Sequence, residues 1–258
     1  MGIAVGNGWV DPIHQLNYAD LLYQLALVDE TQRDNMTAMQ VTLTNQINNR
    51  KPIYISIQLI GFTKPFVLQL GKWLDAFFTE NGLMDGDLGQ SSLFNKYTGL
   101  NFYLNFLYTN NPIDSHFVDY LNLPSTRQAI GVGNVTFSDG QLVEYYMRED
   151  ICQSMKSDLE GLINLGYSVL LYNGQLDLIC APILTETMID AMNWNEKLLY
   201  DKAPKEKWFV SASDKEIAGY RKKADNFEFI VLRNAGHMTP YDQPRSTYSM
   251  ITDFVDNL

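Results

Sequence analysis

Two short, mainly apolar runs near the end of the chain, each followed by a polar loop, place the strongest constraint on its fold. The runs are residues 169–172 (VLLY) and 227–232 (FEFIVL), and apolar residues at helical spacing lie between them. Buried strands that alternate with helices are typical of an α/β sheet with helices packed on it. A third strand is expected near residues 208–210, and a final helix from Pro244, which suits a first helical turn.

The first half of the chain predicts one more strand and then mostly helices and loops. Residues 3–8 predict a short buried strand that ends in a glycine turn, and residues 16–30 place their apolar side chains on one face of a helix. Residues 51–70 show the alternation of a strand, unlike their surroundings. Asp150 is expected to cap a helix that Gly166 ends.

An aspartate and a histidine lie in the loops that follow the two late strands. Asp177 is in YNGQLDLICAP (172–182), and His237 is in VLRNAGHMTPYDQP (231–244). Functional groups in open α/β sheets gather beyond the carboxyl ends of strands, and an Asp and a His placed there can form two arms of a Ser-Asp-His triad. On spacing alone, a surface aspartate and a core or capping histidine is the favoured interpretation of these two residues.

Charge and composition exclude some classes of partner. The formal net charge of −11 argues against a nucleic-acid surface, and polar residues interrupt the longest apolar run, so no membrane span is expected. No signal-peptide pattern opens the chain. Cys152 and Cys180 allow one disulfide or two free thiols, and Asn35 and Asn134 begin glycosylation sequons.

Four segments together resemble the serine carboxypeptidase family, and most closely its vitellogenic-like branch. The segments are GIAVGNGWVDP (2–12), FLYTNNPIDSHFVDYLNLPSTRQAIGVGNVTF (106–137), YNGQLDLICAP (172–182) and NAGHMTPYDQP (234–244). The last two match in order, spacing and context. The resemblance implies a partial α/β-hydrolase fold, formed by residues 1–15 and 145–258, with a largely helical insertion at 16–144. The extra segment at about 51–70 is then either a surface insertion or read-through of non-coding sequence.

The resemblance also implies roles for individual residues. Asp177 is expected to be the acid of the triad and His237 its base, while Met238 lines the neighbouring pocket. The family releases C-terminal residues from peptides through an acyl-enzyme, works at acidic pH in lysosomal or secreted settings, and uses no metal or organic cofactor. In agreement, His14 and His116 have no other ligands at metal-binding spacing.

The nucleophile of that family has no counterpart in these residues. None of the serines, including Ser91, Ser92 and Ser125, lies in the G-x-S-x-G pattern of a nucleophile elbow. The oxyanion-hole glycines and the side chains that hold the terminal carboxylate of the substrate are also missing. The chain alone is therefore expected to be inactive, and its sheet is expected to have an unpaired, aggregation-prone edge.

Several interpretations remain open at this point. The chain is a fragment or incomplete gene model of an active carboxypeptidase, a short non-catalytic binding or regulatory protein, or one chain of an enzyme that a separate N-terminal chain completes. A carboxypeptidase-related acyltransferase uses the same triad and differs only in the acceptor of the acyl group.

Overall fold

The fold consists of one mixed sheet with helices on both faces, and it is seen in a computed structural model that describes residues 1–49, 93–138, 140, 143, 146–147, 150 and 153–258. The strands are β1 (Gly2–Gly6), β2 (Ser168–Gly174), β3 (Glu206–Trp208), β4 (Gly219–Ala224) and β5 (Phe227–Leu232). The helices are α1 (Tyr18–Gln24), α2 (Glu30–Asn49), α3 (Leu93–Thr98), α4 (His116–Asn122), α5 (Pro124–Ala129), α6 (Lys156–Asn164), α7 (Pro182–Ala191), α8 (Lys197–Lys202), α9 (Thr239–Asp242) and α10 (Pro244–Asp256).

The strand order places the two late strands side by side at the centre of the sheet. The order is β1-β2-β5-β4-β3, with β1, β2 and β5 parallel and the last two strands antiparallel. β2 and β5 pair from Val169 opposite Phe227 to Gly174 opposite Leu232, so both strands end at the same edge. β1 pairs only with β2 among the described residues, which leaves its outer side as a free parallel edge.

Alternating side chains of the central strands form two cores. On one face, Val169, Leu171 and Phe229 pack with residues of α6, α7 and α8. On the other face, Leu170 and Ile230 pack against Trp208 of β3 and Met250 of α10. All six residues of β5 are buried, as expected for a parallel strand that is covered on both sides.

A third core joins described residues between 16 and 106, part of the segment expected to be an insertion and called the insertion below, to the loop after β2. Leu178 and Ala181 of that loop are buried together with apolar residues of α1, α2, α3 and the segment that follows α3; these include Tyr18, Leu22, Met36, Phe94 and Tyr103. Backbone hydrogen bonds cross the same interface, from Leu178 N to the Tyr103 carbonyl (3.1 Å) and from Phe106 N to the Leu176 carbonyl (3.1 Å). The insertion therefore holds the loop in which Asp177 lies.

The strands predicted at the start of the chain and at 169–172 and 227–232 are confirmed, as is the helix from Pro244. The expected burial of the first strand is wrong: β1 is mostly exposed, because it is an edge strand in the described part of the chain. The single helix expected over 16–30 is wrong: α1 ends at Gln24 and α2 begins at Glu30. Ala26 turns the chain with a positive φ of 57°, and Asp29 Oδ1 accepts a hydrogen bond from Gln32 N at the start of α2. The helical spacing of apolar residues alone does not reveal such a turn.

Three other boundaries differ from the prediction. The helix expected from Asp150 begins instead at Lys156, because Met155 N donates to the carbonyl of Val10 before the helix starts. The strand expected at 208–210 is β3, which ends at Trp208. The short basic run at residues 221–223 indicates, from sequence alone, a solvated strand end or turn. It lies inside β4, where Arg221 and Lys223 form ion pairs with the buried Glu228 of β5.

Some predictions fall on residues outside the described ranges. These are the extra segment at about 51–70 and the residues Cys152, Ser91 and Ser92. Within the described part of the chain, no helix is both long enough and apolar enough to cross a membrane.

Candidate active site

Asp177 and His237 meet because β2 and β5 are parallel neighbours that end at the same edge of the sheet. The Nδ1 atom of His237 lies 2.9 Å from Oδ2 of Asp177. Two further backbone hydrogen bonds join the loops, from Gln175 N to the Leu232 carbonyl (2.9 Å) and from Leu176 N to the Ala235 carbonyl (2.7 Å). The sheet thus brings together two residues that are sixty positions apart.

The carboxylate of Asp177 is fully buried and accepts hydrogen bonds on both oxygens. Oδ2 accepts from Asn7 Nδ2 at 2.6 Å in addition to His237, and Oδ1 accepts from Ile179 N at 2.9 Å. A carboxylate is an acceptor only, so the imidazole donates its Nδ1 proton to Asp177. This leaves Nε2 of His237 as the nitrogen that can accept a proton from another group.

Asn7 is a site residue that the sequence interpretation did not single out. It follows β1 with a positive φ of 45°, a conformation that Asn tolerates better than most residues, and its backbone N donates to the Tyr172 carbonyl (2.8 Å). Its Oδ1 atom is buried without a hydrogen-bond partner in the described part of the chain. The available signal was a polar amide between two glycines, directly after a predicted strand.

His237 is held by hydrogen bonds of its backbone and of its imidazole, and part of its side chain is exposed. Its backbone N donates to the Leu104 carbonyl at 2.6 Å, and 31% of its side chain is exposed. Burial lowers the pKa of His237, but the hydrogen bond to Asp177 and the negative charge of that carboxylate raise it by more, so the pKa lies above its ordinary value. His237 therefore binds its second proton more tightly in the folded chain than in the unfolded chain.

This linkage predicts a pH dependence of stability. Because folding raises the pKa of His237, its stabilising contribution is complete below the histidine pKa of the unfolded chain and disappears as the pH rises through the folded value. Urea midpoints of the chain and of a His237→Gln variant should therefore converge as the pH increases through this range. His14 and His116 are present in both proteins and cancel in the difference, and a constant gap at all pH values would contradict the prediction.

Gly174, the last residue of β2, lets the two loops cross in backbone contact. A Cβ atom on this residue would lie 2.0 Å from the Gly236 carbonyl oxygen and 2.5 Å from that of Ala235. We expect Gly174→Ala to destabilise the fold by about 3 kcal/mol in urea unfolding, because backbone atoms must shift. Gly161→Ala on α6 is the matched control: its Cβ has no neighbour within 4 Å, so its effect should be neutral or stabilising. Equal losses of stability in both variants would contradict the prediction, because the contact between the two loops would then not explain the effect of Gly174→Ala.

A shallow, mainly apolar pocket lies beside His237. Met238 lines it with 45% of its surface exposed, together with side chains of the segment after α3 and with Asp242; the other lining residues are Phe102, Leu104, Asn105, Tyr108, Pro112 and Ile113. Met238, expected to line the pocket beside the histidine, is among the residues of this pocket, and its role in substrate binding stays a prediction. The pocket combines residues of the histidine loop with residues of the insertion.

Cys180 lies close to the Asp-His pair, and possible ligand atoms of Asp177, Cys180 and His237 are within 4.8 Å of one another. Cys180 is a buried free thiol. Burial and the neighbouring Asp177 raise its pKa well above the ordinary value, so the thiol stays protonated. Both oxygens of Asp177 already accept hydrogen bonds. This donor set therefore suits hydrogen bonding better than metal coordination.

The other candidate residues lie apart from this pair. His14 and His116 each contact a nearby aspartate, Asp11 and Asp114 respectively. Ser125 is an exposed residue of α5. Both sequon asparagines are exposed, Asn35 on α2 and Asn134 in the loop after α5, so each is accessible to a glycan.

The sheet topology and the Asp-His pair at the carboxyl ends of β2 and β5 define a protein of the α/β-hydrolase class. The family model for serine carboxypeptidases matches residues 1–257, and the chain belongs to this family. A solved structure agrees in fold: the prohormone-processing carboxypeptidase Kex1Δp from Saccharomyces cerevisiae has a TM-score of 0.59 at 19% identity, covering 99% of this chain and 54% of its own.

Curated relatives give the same family. The chain is 40% identical to the probable serine carboxypeptidase CPVL of Homo sapiens, covering 98% of this chain and 49% of that protein. It is 37% identical to the venom serine carboxypeptidase of Apis mellifera, with 99% and 50% covered, and 36% identical to the vitellogenic carboxypeptidase of Aedes aegypti, with 98% and 50% covered. The chain spans about half the length of the curated relatives it matches.

Proposed function

We propose that this chain is the half of a serine carboxypeptidase that supplies the acid and the base of the triad, Asp177 and His237. The observation that carries the proposal is the hydrogen bond of 2.9 Å between His237 Nδ1 and the buried Asp177 carboxylate, in a member of this family. No nucleophile elbow lies in the 258 residues, and the relatives are about twice as long. A serine-bearing N-terminal segment, in the same chain or as a separate one, would complete the site.

The reaction then follows the order of a serine hydrolase. His237 Nε2 takes the proton of the serine hydroxyl as the serine oxygen bonds to the last peptide carbonyl. The C–N bond breaks, and the imidazolium returns its proton to the leaving amino acid. Water repeats the sequence on the acyl-enzyme: His237 takes a proton from water, the ester bond breaks, and the serine recovers its proton. The products are a free amino acid and a shortened peptide.

Asp177 supports His237 throughout this sequence. Its charge stabilises the imidazolium, and its acceptor oxygen fixes the tautomer that keeps Nε2 free. The hydrogen bonds from Asn7 and from Ile179 N hold this carboxylate in one orientation. The surrounding structure therefore supports the acid of the triad before any substrate binds.

The shallow pocket beside His237 offers apolar contacts at its surface to a substrate residue. Met238 and Leu104 lie in its wall, and the pocket adjoins the histidine that would act on the scissile bond. Substrates are accordingly proposed to be peptides with a free C-terminus and an apolar residue near that end. A lysosomal or secreted setting is part of the same proposal, and the exposed sequons Asn35 and Asn134 are consistent with it.

The test uses a fusion of residues 1–258 behind the N-terminal half of the vitellogenic carboxypeptidase of Aedes aegypti. We expect the fusion protein to shorten a peptide by one C-terminal residue at a time, followed as a ladder by mass spectrometry, and to leave a C-terminally amidated copy of the peptide intact. The mosquito enzyme runs in parallel as the positive control. A soluble, cooperatively unfolding fusion that produces no ladder, or that cleaves internal bonds of both peptides, would contradict the proposed function.

A further inference from the structure

We infer that Asp242 is a positioning residue for His237, because its carboxylate joins the histidine loop to the insertion; the inference rests on the proposed function. Asp242 Oδ2 accepts a hydrogen bond of 2.6 Å from Gly236 N, the residue directly before His237. The same oxygen accepts a hydrogen bond of 3.0 Å from Asn105 Nδ2 in the insertion. One atom thus bridges two segments that are far apart in the chain.

Close packing around Gly236 places the histidine loop directly against the insertion, next to the hydrogen bonds of Asp242. A Cβ atom on Gly236 would lie 2.2 Å from the Leu104 carbonyl oxygen, so the loop packs directly against the backbone of the insertion. The adjacent His237 N donates to that same carbonyl at 2.6 Å. The backbone N–H groups of Gly236 and His237 are therefore fixed by hydrogen bonds to Asp242 and Leu104, respectively. These bonds fix the backbone position from which the imidazole extends.

Asn105 is itself held in place. It is buried, with 5% of its surface exposed, and its Oδ1 atom accepts from Leu107 N at 3.1 Å while Nδ2 donates to Asp242. Asp242 ends α9, and its own N–H donates to the Met238 carbonyl (3.0 Å), which fixes its backbone within the turn after His237. The contact therefore links two rigid elements, and a hydrogen bond to an ionised acceptor is stronger than a neutral one.

Asp242 lies at the pocket beside His237, but its Oδ2 atom accepts from Gly236 N and Asn105 Nδ2, so its loss should move the imidazole without removing it. In the fusion protein, Asp242→Ala should lower kcat on the order of 10²-fold, because small displacements of a reacting group have effects of this size. Asp242→Asn retains an oxygen that can accept from both donors, so it should recover most of the activity. Asp256→Ala, which removes an exposed carboxylate at the end of α10, should leave kcat unchanged.

A second readout separates positioning from general loss of structure. In the 258-residue chain labelled with ¹⁵N-histidine, the His237 Nδ1 proton that is bonded to Asp177 should shift or broaden in Asp242→Ala and persist in Asp242→Asn and Asp256→Ala. This measurement needs no serine. If the fusion is inactive throughout but this pattern appears, the proposed function fails and the positioning role stands.

Three outcomes would overturn the inference. The first is an Asp242→Ala variant whose His237 Nδ1 resonance is unchanged. The second is an Asp242→Asn variant that is as impaired as Asp242→Ala, since the two hydrogen bonds are then not what matters. The third is a loss of kcat that follows only the fraction of unfolded protein, measured by urea unfolding of the same variants.

Discussion

The 258-residue chain without a serine-bearing segment will hydrolyse a blocked dipeptide no faster than buffer. Loss of the nucleophile alone lowers kcat by about 10⁶-fold in a serine hydrolase, and the catalysis that remains there comes from the oxyanion hole and substrate binding. The oxyanion-hole glycines of the family are also expected to be missing. The Asp-His pair is present, but none of the serines in the sequence lies in a G-x-S-x-G elbow that its base could activate. The measurement is release of the C-terminal amino acid, followed by chromatography over several days.

A fluorophosphonate probe gives the sharper control for this prediction. The probe should label the fusion protein and leave residues 1–258 alone unlabelled at the same concentration. A His237→Ala variant of the chain provides the background signal. If the chain alone labels, and the label disappears in His237→Ala, then a serine within these residues acts as the nucleophile and the prediction is wrong.

Asp177→Asn in the fusion protein should lower kcat by about 10⁴-fold, with little change in KM. An asparagine amide can donate to Nδ1 of His237, which places the proton on Nε2 and removes the nitrogen that must accept the serine proton. Substrate contacts are unaffected, because Asp177 is fully buried behind the histidine. Steady-state kinetics with a blocked dipeptide measure both constants.

The matched control for this substitution is Asp190→Asn, which makes the same chemical change at an exposed position on α7. It should leave kcat within a factor of about two, as expected for an exposed surface substitution. A loss of less than about 10-fold in Asp177→Asn would show that Asp177 is not the acid of the triad. A large loss in both variants would indicate damage to the fold instead.

The acidic working pH expected from the resemblance is in tension with the described site. The base must be neutral to accept the serine proton, yet the neighbouring Asp177 keeps the pKa of His237 above its ordinary value in this chain. Activity at acidic pH therefore requires that the serine-bearing segment lower this pKa, by burying the exposed part of the imidazole or by adding a cation. The pKa of His237 should be lower in the fusion protein than in the chain alone.

The site was largely accessible from the sequence, because its two main residues directly follow strands with strong apolar signals. Strand β5 is buried on both sides, so its run of apolar residues indicates a central position and the loop after it indicates the site. Asp177 follows from the same rule applied to β2. The contact between Asp177 and His237 depends on one further fact, that β2 and β5 are parallel neighbours in the sheet. The local sequence pattern does not contain this information.

The features that the sequence did not reveal depend on contacts between distant segments. Residues 221–223 look like a solvated strand end or turn, but the buried Glu228 on the neighbouring strand explains why two cations lie inside β4. Asn7 becomes a site residue only when β1 pairs with β2 and carries its amide to Asp177. The break at Ala26 depends on a backbone conformation that apolar spacing does not encode.

The central place of β5 has a consequence for the timing of assembly. This strand separates β2 from β4 in the sheet, yet residues 175–226 separate it from β2 in the chain. During synthesis, β2 must therefore wait for its partner while the whole segment between them is made. Pairing across such a separation is slow compared with helix formation. The Asp-His pair depends on this pairing, so we expect it to form late in folding.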